Sequence, residues 1–216
     1  MAKGPEYRVQ FRRRRIGKTN YYLRRKLLTS KKTRFVVRKS SKHLIAQLVQ
    51  PKLEGDKAIV TVHTKELQSK YGWKGGTGNS SAAYLAGYLA GKRALSKGVK
   101  EAILDIGLAA PTNGSRLFAA LKGALKSGLI VPASEDILPS NDRVKGAHII
   151  KYDEQLSKNP SKTNRQQFSK IRSGGLDLKQ LADHFDDVLK NIDAEAVQKK
   201  APKARSGKVT KKSKGS

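Results

Sequence analysis

RFVVRKSSKHLIAQLVQ, residues 34–50, decides the architecture. Two apolar, β-branched runs, 34–38 and 42–50, flank Lys39-Ser40-Ser41 and predict a β-hairpin. A third run, 58–62, follows the turn signal Glu54-Gly55-Asp56 and completes a three-stranded antiparallel meander.

Downstream, YGWKGGTG at 71–78 is a glycine-rich loop carrying the only tryptophan, and a helix starts at Asn79 or Ser80 and runs to Lys97, stopped by Gly98. Its small face, Ala82, Ala86, Gly87, Ala90 and Gly91, lets backbone approach a sheet closely, while Leu85, Leu89 and Leu95 fill the remaining space. AILDIGL at 102–108 reads as a strand covered on both faces. Residues 115–127 then space Leu117, Phe118, Leu121, Ala124 and Leu125 as a helix, stopped by Gly128. The order β-β-β-α-β-α predicts an α/β core: a mixed sheet of the meander plus a further strand, with packed helices.

Past Pro132 and Pro139 the texture changes. Residues 142–150 predict one helical turn and a short extended piece, and 158–173 is polar and basic. Asp177 is placed to cap a helix with Gln180 as its reciprocal partner. The stripe Leu178, Leu181, Phe185, Val188, Leu189 and Ile192 needs a surface to dock on.

Upstream lies FRRRRIGKTNYYLRRKLL, residues 11–28. Four consecutive guanidiniums cannot all enter a protein interior, so they face water or a partner. Residues 1–18 predict an extended arm ordered by its partner, and Thr19 or Asn20 caps a helix through Leu28 with one apolar and one basic face. The chain thus divides into a basic arm (1–18), an α/β core with its leading helix (19–132), a helical C-terminal extension (133–195) and a basic low-complexity tail (196–216) expected to be disordered in isolation.

Charge follows that division. Of a formal +29, residues 1–50 supply +15 and residues 199–216 supply +8. So uneven a balance calls for a polyanion, and nucleic acid is the commonest one, with an anionic membrane surface as the competing reading. No apolar run is long enough to span a bilayer and no signal peptide precedes the arm, so a cytoplasmic protein is expected. With no cysteine, disulfides, thiol catalysis and cysteine zinc sites are excluded.

The arginine run is interleaved with Tyr7, Phe11, Tyr21 and Tyr22, which favours RNA over a solvated charge run or a localisation signal, because looped RNA is held by phosphate contacts together with base stacking. Residues 75–81, GGTGNSS, lack the Gly-Lys-Ser/Thr ending of a nucleotide-hydrolase loop and do not fit Gly-x-Gly-x-x-Gly. An RNA phosphate contact and a plain turn with a helix cap both remain open there. Asp105 in LDIG resembles the strand carboxylate of metal-dependent nucleases, but Glu66, Glu101 and Asp142 stand in unrelated contexts, so a salt-bridging strand-end role is favoured. His43, His63, His148 and His184 are dispersed, with no ligand spacing. No catalytic residue, metal or cofactor is expected.

Five collinear blocks carry a resemblance: GPEYRVQFRRRRIGKTNYYLRRKLL, RFVVRKSSKHLIAQLV, YGWKGGTGNSSAAYLAGYLAGKRAL, EAILDIGL and RLFAALKGALKSGLIVP. Over about residues 4–193 the chain resembles the archaeal and eukaryotic branch of the ribosomal large-subunit protein eighteen family, with an archaeal-like length. The resemblance implies a non-catalytic structural constituent of the large ribosomal subunit that binds 5S rRNA, anchors it to 23S-type rRNA in the central protuberance, and touches neighbours including large-subunit protein five. The implied RNA contacts are Arg8, Arg12, Arg13, Arg14, Arg15, Lys18, Asn20 and Tyr21 in the arm, Arg24, Arg25 and Lys26 in the first helix, Arg38, Lys39 and Lys42 in the hairpin, and Trp73, Lys74 and Asn79 in the loop. The tail after Ala196 departs from the family pattern.

Overall fold

A computed structural model describes residues 4–158 and 167–198 of the chain. The expected tail therefore lies almost wholly outside the described residues. The sheet is built from β1 (Arg34–Lys39), β2 (Leu44–Gln50), β3 (Lys57–His63) and β4 (Ile103–Asp105), in the order β3-β2-β1-β4. The three meander strands are antiparallel, as expected, and β4 joins parallel to β1, with Phe35 opposite Leu104 and Val36 opposite Asp105.

Strand alternation assigns the two faces. Phe35 and Val37, Ala46 and Leu48, and Val60 and Val62 share one face and are buried under the helices. Arg34, Val36 and Arg38, together with Ile103 and Asp105, share the other.

In chain order the helices are α1 (Arg12–Arg15), α2 (Tyr21–Thr29), α3 (Thr64–Tyr71), α4 (Ser80–Ser96), α5 (Arg116–Lys126), α6 (Asn141–Lys145), α7 (Ala147–Lys158), α8 (Ser169–Ser173) and α9 (Leu181–Gln198). The expected caps form: Asn20 accepts from the amides of Tyr22 and Leu23, and Asn79 accepts from Ala82. α4 is buried along most of its length between the sheet and α5.

Several expectations are corrected. The arm is not extended at 12–15 but makes the α1 turn, because Tyr21 and Tyr22 give it a surface to lie on. Helix α3 was not anticipated; the His63 ring caps it and Gly72, at φ +72°, closes it. β4 spans three residues rather than 102–108, since Asp105 Oδ1 accepts from the Gly107 amide and turns the chain away. Residues 142–150 hold parts of two helices and no extended piece; Gly146, at φ +89°, separates them.

α4 packs on the sheet, as expected, but Gly87 and Gly91 of its small face meet α5 and the turn after it. A Cβ on Gly87 would overlap the Ala120 carbonyl of α5, and one on Gly123 of α5 would overlap the Tyr84 carbonyl of α4. The two glycines let the backbones touch. Finally, the α9 stripe docks on the chain itself: Leu181, Phe185, Val188 and Ile192 belong to the same hydrophobic cluster as the sheet and α4, with the Phe185 ring 5.6 Å from that of Tyr84.

Candidate nucleic-acid interface

Every residue of α1 and none of α2's nine residues is, respectively, exposed and buried, so the basic stretch is displayed as a surface. Gly17, at φ +64°, reverses the chain between the two helices and folds the arm onto α2. Phe11 lies 5.4 Å from the Tyr21 ring, Arg13 Nε donates to Thr19 Oγ1 at 2.8 Å, and the Arg14 guanidinium sits 5.0 Å from the Tyr22 ring centre. Arg8, Arg12–Arg15, Lys18, Asn20, Arg25 and Lys26 are exposed, while Tyr21 and Arg24 are half-buried.

α2 is tied to the sheet by an ion chain across the face opposite the helical layer. Arg24 Nη2 reaches Asp56 Oδ2 at 2.8 Å, Arg34 Nη2 reaches the same oxygen at 2.6 Å, and Arg34 Nη1 reaches Asp105 Oδ2 at 2.6 Å. Arg38 Nη2 holds Asp105 Oδ1 at 2.9 Å. Burial pushes the Asp105 carboxyl up, but the hydrogen bonds and charges of Arg38 and Arg34 outweigh it, leaving Asp105 below the ordinary carboxylate range. Asp56 is likewise lowered: burial opposes, and Arg24 and Arg34 prevail. Asp105 is thus the salt-bridging strand-end residue expected. Sequence reading did not single out Arg34 or Asp56; the alternation Arg34-Val36-Arg38 was the available signal.

At the far end of the hairpin, Lys39 and Lys42 are exposed beside the glycine-rich loop. Thr77 Oγ1 donates to the Lys42 carbonyl, and a Cβ on Gly78 would come within 3.0 Å of that carbonyl, so hairpin and loop are packed backbone to backbone. Lys74 is exposed, but Trp73 is not an exposed contact. Its ring is 1% exposed, stacks on His184 at 5.2 Å and 15°, and donates from Nε1 to the Gly76 carbonyl. Trp73 shapes the loop from inside and would have to leave the core to reach a base. Asn79 is occupied as the α4 cap. His184 Nε2 accepts from the Lys74 amide at 3.0 Å, and burial foremost, with Lys74 nearby, lowers its pKa. That contact joins α9 to the loop and is invisible in sequence, 110 residues separating the partners.

Among the described residues no group of His, Asp and Glu side chains is placed to hold a metal ion, and no helix is long and apolar enough to cross a membrane. The arrangement is that of a basic α/β protein whose arm, leading helix and hairpin tip present cations outward from a packed core.

The family described as ribosomal large subunit proteins 60S L5 and 50S L18 matches residues 5–103 and 97–134. Among curated proteins, the chain is 49% identical over 193 residues to the large ribosomal subunit protein uL18 of Aeropyrum pernix, covering 89% of this chain and 90% of that one. It is 49% identical over 195 residues to uL18 of Methanothermobacter thermautotrophicus, covering 90% and 100%, and 50% identical over 192 residues to uL18 of Staphylothermus marinus, covering 89% and 95%. The chain belongs to this family, whose members are structural ribosomal constituents and not enzymes.

Proposed function

We propose that the chain works in the cytoplasmic ribosome as a large-subunit constituent that binds 5S rRNA and anchors it to 23S-type rRNA in the central protuberance, with large-subunit protein five among its protein neighbours. The observation that carries this reading is the exposed, folded-back basic arm on α2, within a chain of a family of large-subunit proteins. Phosphates are held by Arg8, Arg12–Arg15, Lys18, Arg24, Arg25, Lys26, Lys39, Lys42 and Lys74, with Tyr21 and the Arg38 plane available for stacking. Asn20 and Asn79 set the helix starts beside those contacts. In this reading residues 1–18 are the gripping arm, 19–132 the core that aims it, 133–195 the buttressing extension and 196–216 an added basic tail.

Filter binding of a 5S rRNA transcript tests it. Affinity falls by about a hundredfold or more between roughly 50 and 200 mM salt, because each phosphate contact releases counterions. Deleting residues 1–18 flattens that slope. Binding indifferent to salt, or to loss of the arm, would overturn the reading.

A further inference from the structure

α2 lies over the outer sheet face with Tyr21, Leu27 and Leu28 half-buried and no residue fully buried, tied there by the Arg24–Asp56–Arg34 ion chain. Between helix and sheet lies a cleft of about 530 Å³, large enough for a nucleotide. Its walls include Leu23 and Leu27 of α2, Gly107 and Leu108 beyond β4, and Arg13 and Arg38. Leu108 and Leu23 stay 59% and 39% exposed, so the cleft has an apolar rim facing water.

Arg38 is its most constrained feature. Nη1 donates to the carbonyls of Val37 at 2.9 Å and Asp105 at 2.6 Å, and Nη2 to Asp105 Oδ1. Gly107 lies against this guanidinium at φ +67°, where a Cβ would come 2.9 Å from Cζ. The side chain is therefore fixed in plane, yet remains 44% exposed. Freezing so flexible a side chain is ordinarily a cost of binding, and here folding has already met it. A fixed guanidinium plane beside apolar walls matches a nucleobase, which stacks on such planes. The carboxylates at the cleft, Asp56 and Asp105, are both held by arginines, which offsets their repulsion of a phosphate.

We propose that this cleft receives one unstacked nucleotide of the ribosomal RNA, its base on the Arg38 plane between Leu108 and the leucines of α2, its phosphate beside Arg13. The inference rests on the RNA-binding function proposed above.

The full chain is bound to 5S and 23S-type transcripts and the RNA is mapped by 2′-hydroxyl acylation. The wild-type protein changes the reactivity of one nucleotide outside the paired helices. Leu108→Asp, at an exposed rim position, returns that nucleotide alone to its free reactivity and weakens binding about tenfold, the worth of one stacked base. Arg38→Lys, which keeps the charge and loses the plane, does the same. Thermal melts of both variants separate this from a folding defect. If Leu108→Asp gives the wild-type footprint and affinity, the cleft is a solvent gap and the proposal falls. If the wild-type protein footprints neither RNA, the RNA-binding function falls with it. Free AMP or GMP that binds wild type but not Leu108→Asp, while saturating RNA is present, would assign the cleft to a mononucleotide and overturn the RNA source.

Discussion

Arg34 is 2% exposed and survives there because two carboxylates meet it. Removing one partner of a buried ion pair costs about 3–5 kcal/mol, since the remaining charge is stranded. Asp105→Asn is therefore expected to destabilise by about that much in urea unfolding, and Asp56→Asn, at a more open site, by less. Because the folded pKa values of Asp105 and Asp56 lie below their unfolded ones, their contribution is fully present above the unfolded value near 4 and is lost as pH falls through the lower folded values. Gly87 sets a different limit. Gly87→Ala forces backbone apart at Ala120, a neighbour that cannot rotate away, and a loss of about 1–3 kcal/mol or more is expected in the same assay. At this scale the sequence made Asp105 legible as a strand-end ion-pairing residue and the Gly87 stripe legible as a close-approach face. It did not show what each meets: Arg34 and Asp105 lie 71 residues apart. Nor did it show that Trp73, an RNA contact implied by resemblance, is buried beneath its loop.

Among the elements, α3 escaped sequence reading because it carries only Leu67 and Tyr71 as large buried residues, too few to show a helical period. β4 read long because Ile106 and Leu108 continue the apolar run after the strand has ended at Asp105. The α9 stripe was legible to the residue, but its partner was not. α9 also steadies the loop after α3 through His184, whose ring accepts from Lys74 only when neutral. Its pKa is lowered in the fold, so its stabilisation is present above the ordinary imidazole value of about 6.5 and is lost as pH falls through the folded value. His184→Ala is expected to speed hydrogen exchange at the Lys74 amide, with His184→Gln, which keeps an acceptor, restoring part of the protection. Unchanged exchange in both variants would show that the Trp73 stack alone holds the loop.

For the whole molecule, charge and packing are separated along the chain. The α/β order, the meander and a mixed sheet with a further strand follow from periodicity and turn signals, and the basic surface from composition, whereas the parallel pairing of β4 with β1 did not. What composition could not supply is that Leu176, Leu181, Phe185, Val188 and Ile192 enter the same hydrophobic cluster as the sheet. A chain ending at residue 132 would leave the α4 surface at Tyr84 that receives Phe185 open to water. It is expected to aggregate or to melt well below the full chain in a thermal scan, while single substitutions in the exposed arm leave the melting temperature nearly unchanged.

The seam between α9 and the α3–α4 pair also has a temporal side. Tyr71 bonds Glu195 and Tyr88 bonds Asp193, partners 124 and 105 residues apart. During synthesis the arginine-bearing arm emerges first and this closing helix much later, so for that interval the cations are available while α4 still lacks its cover. The segment that captures a polyanion thus precedes the one that completes the core, and capture during synthesis would meet a protein still open along its back.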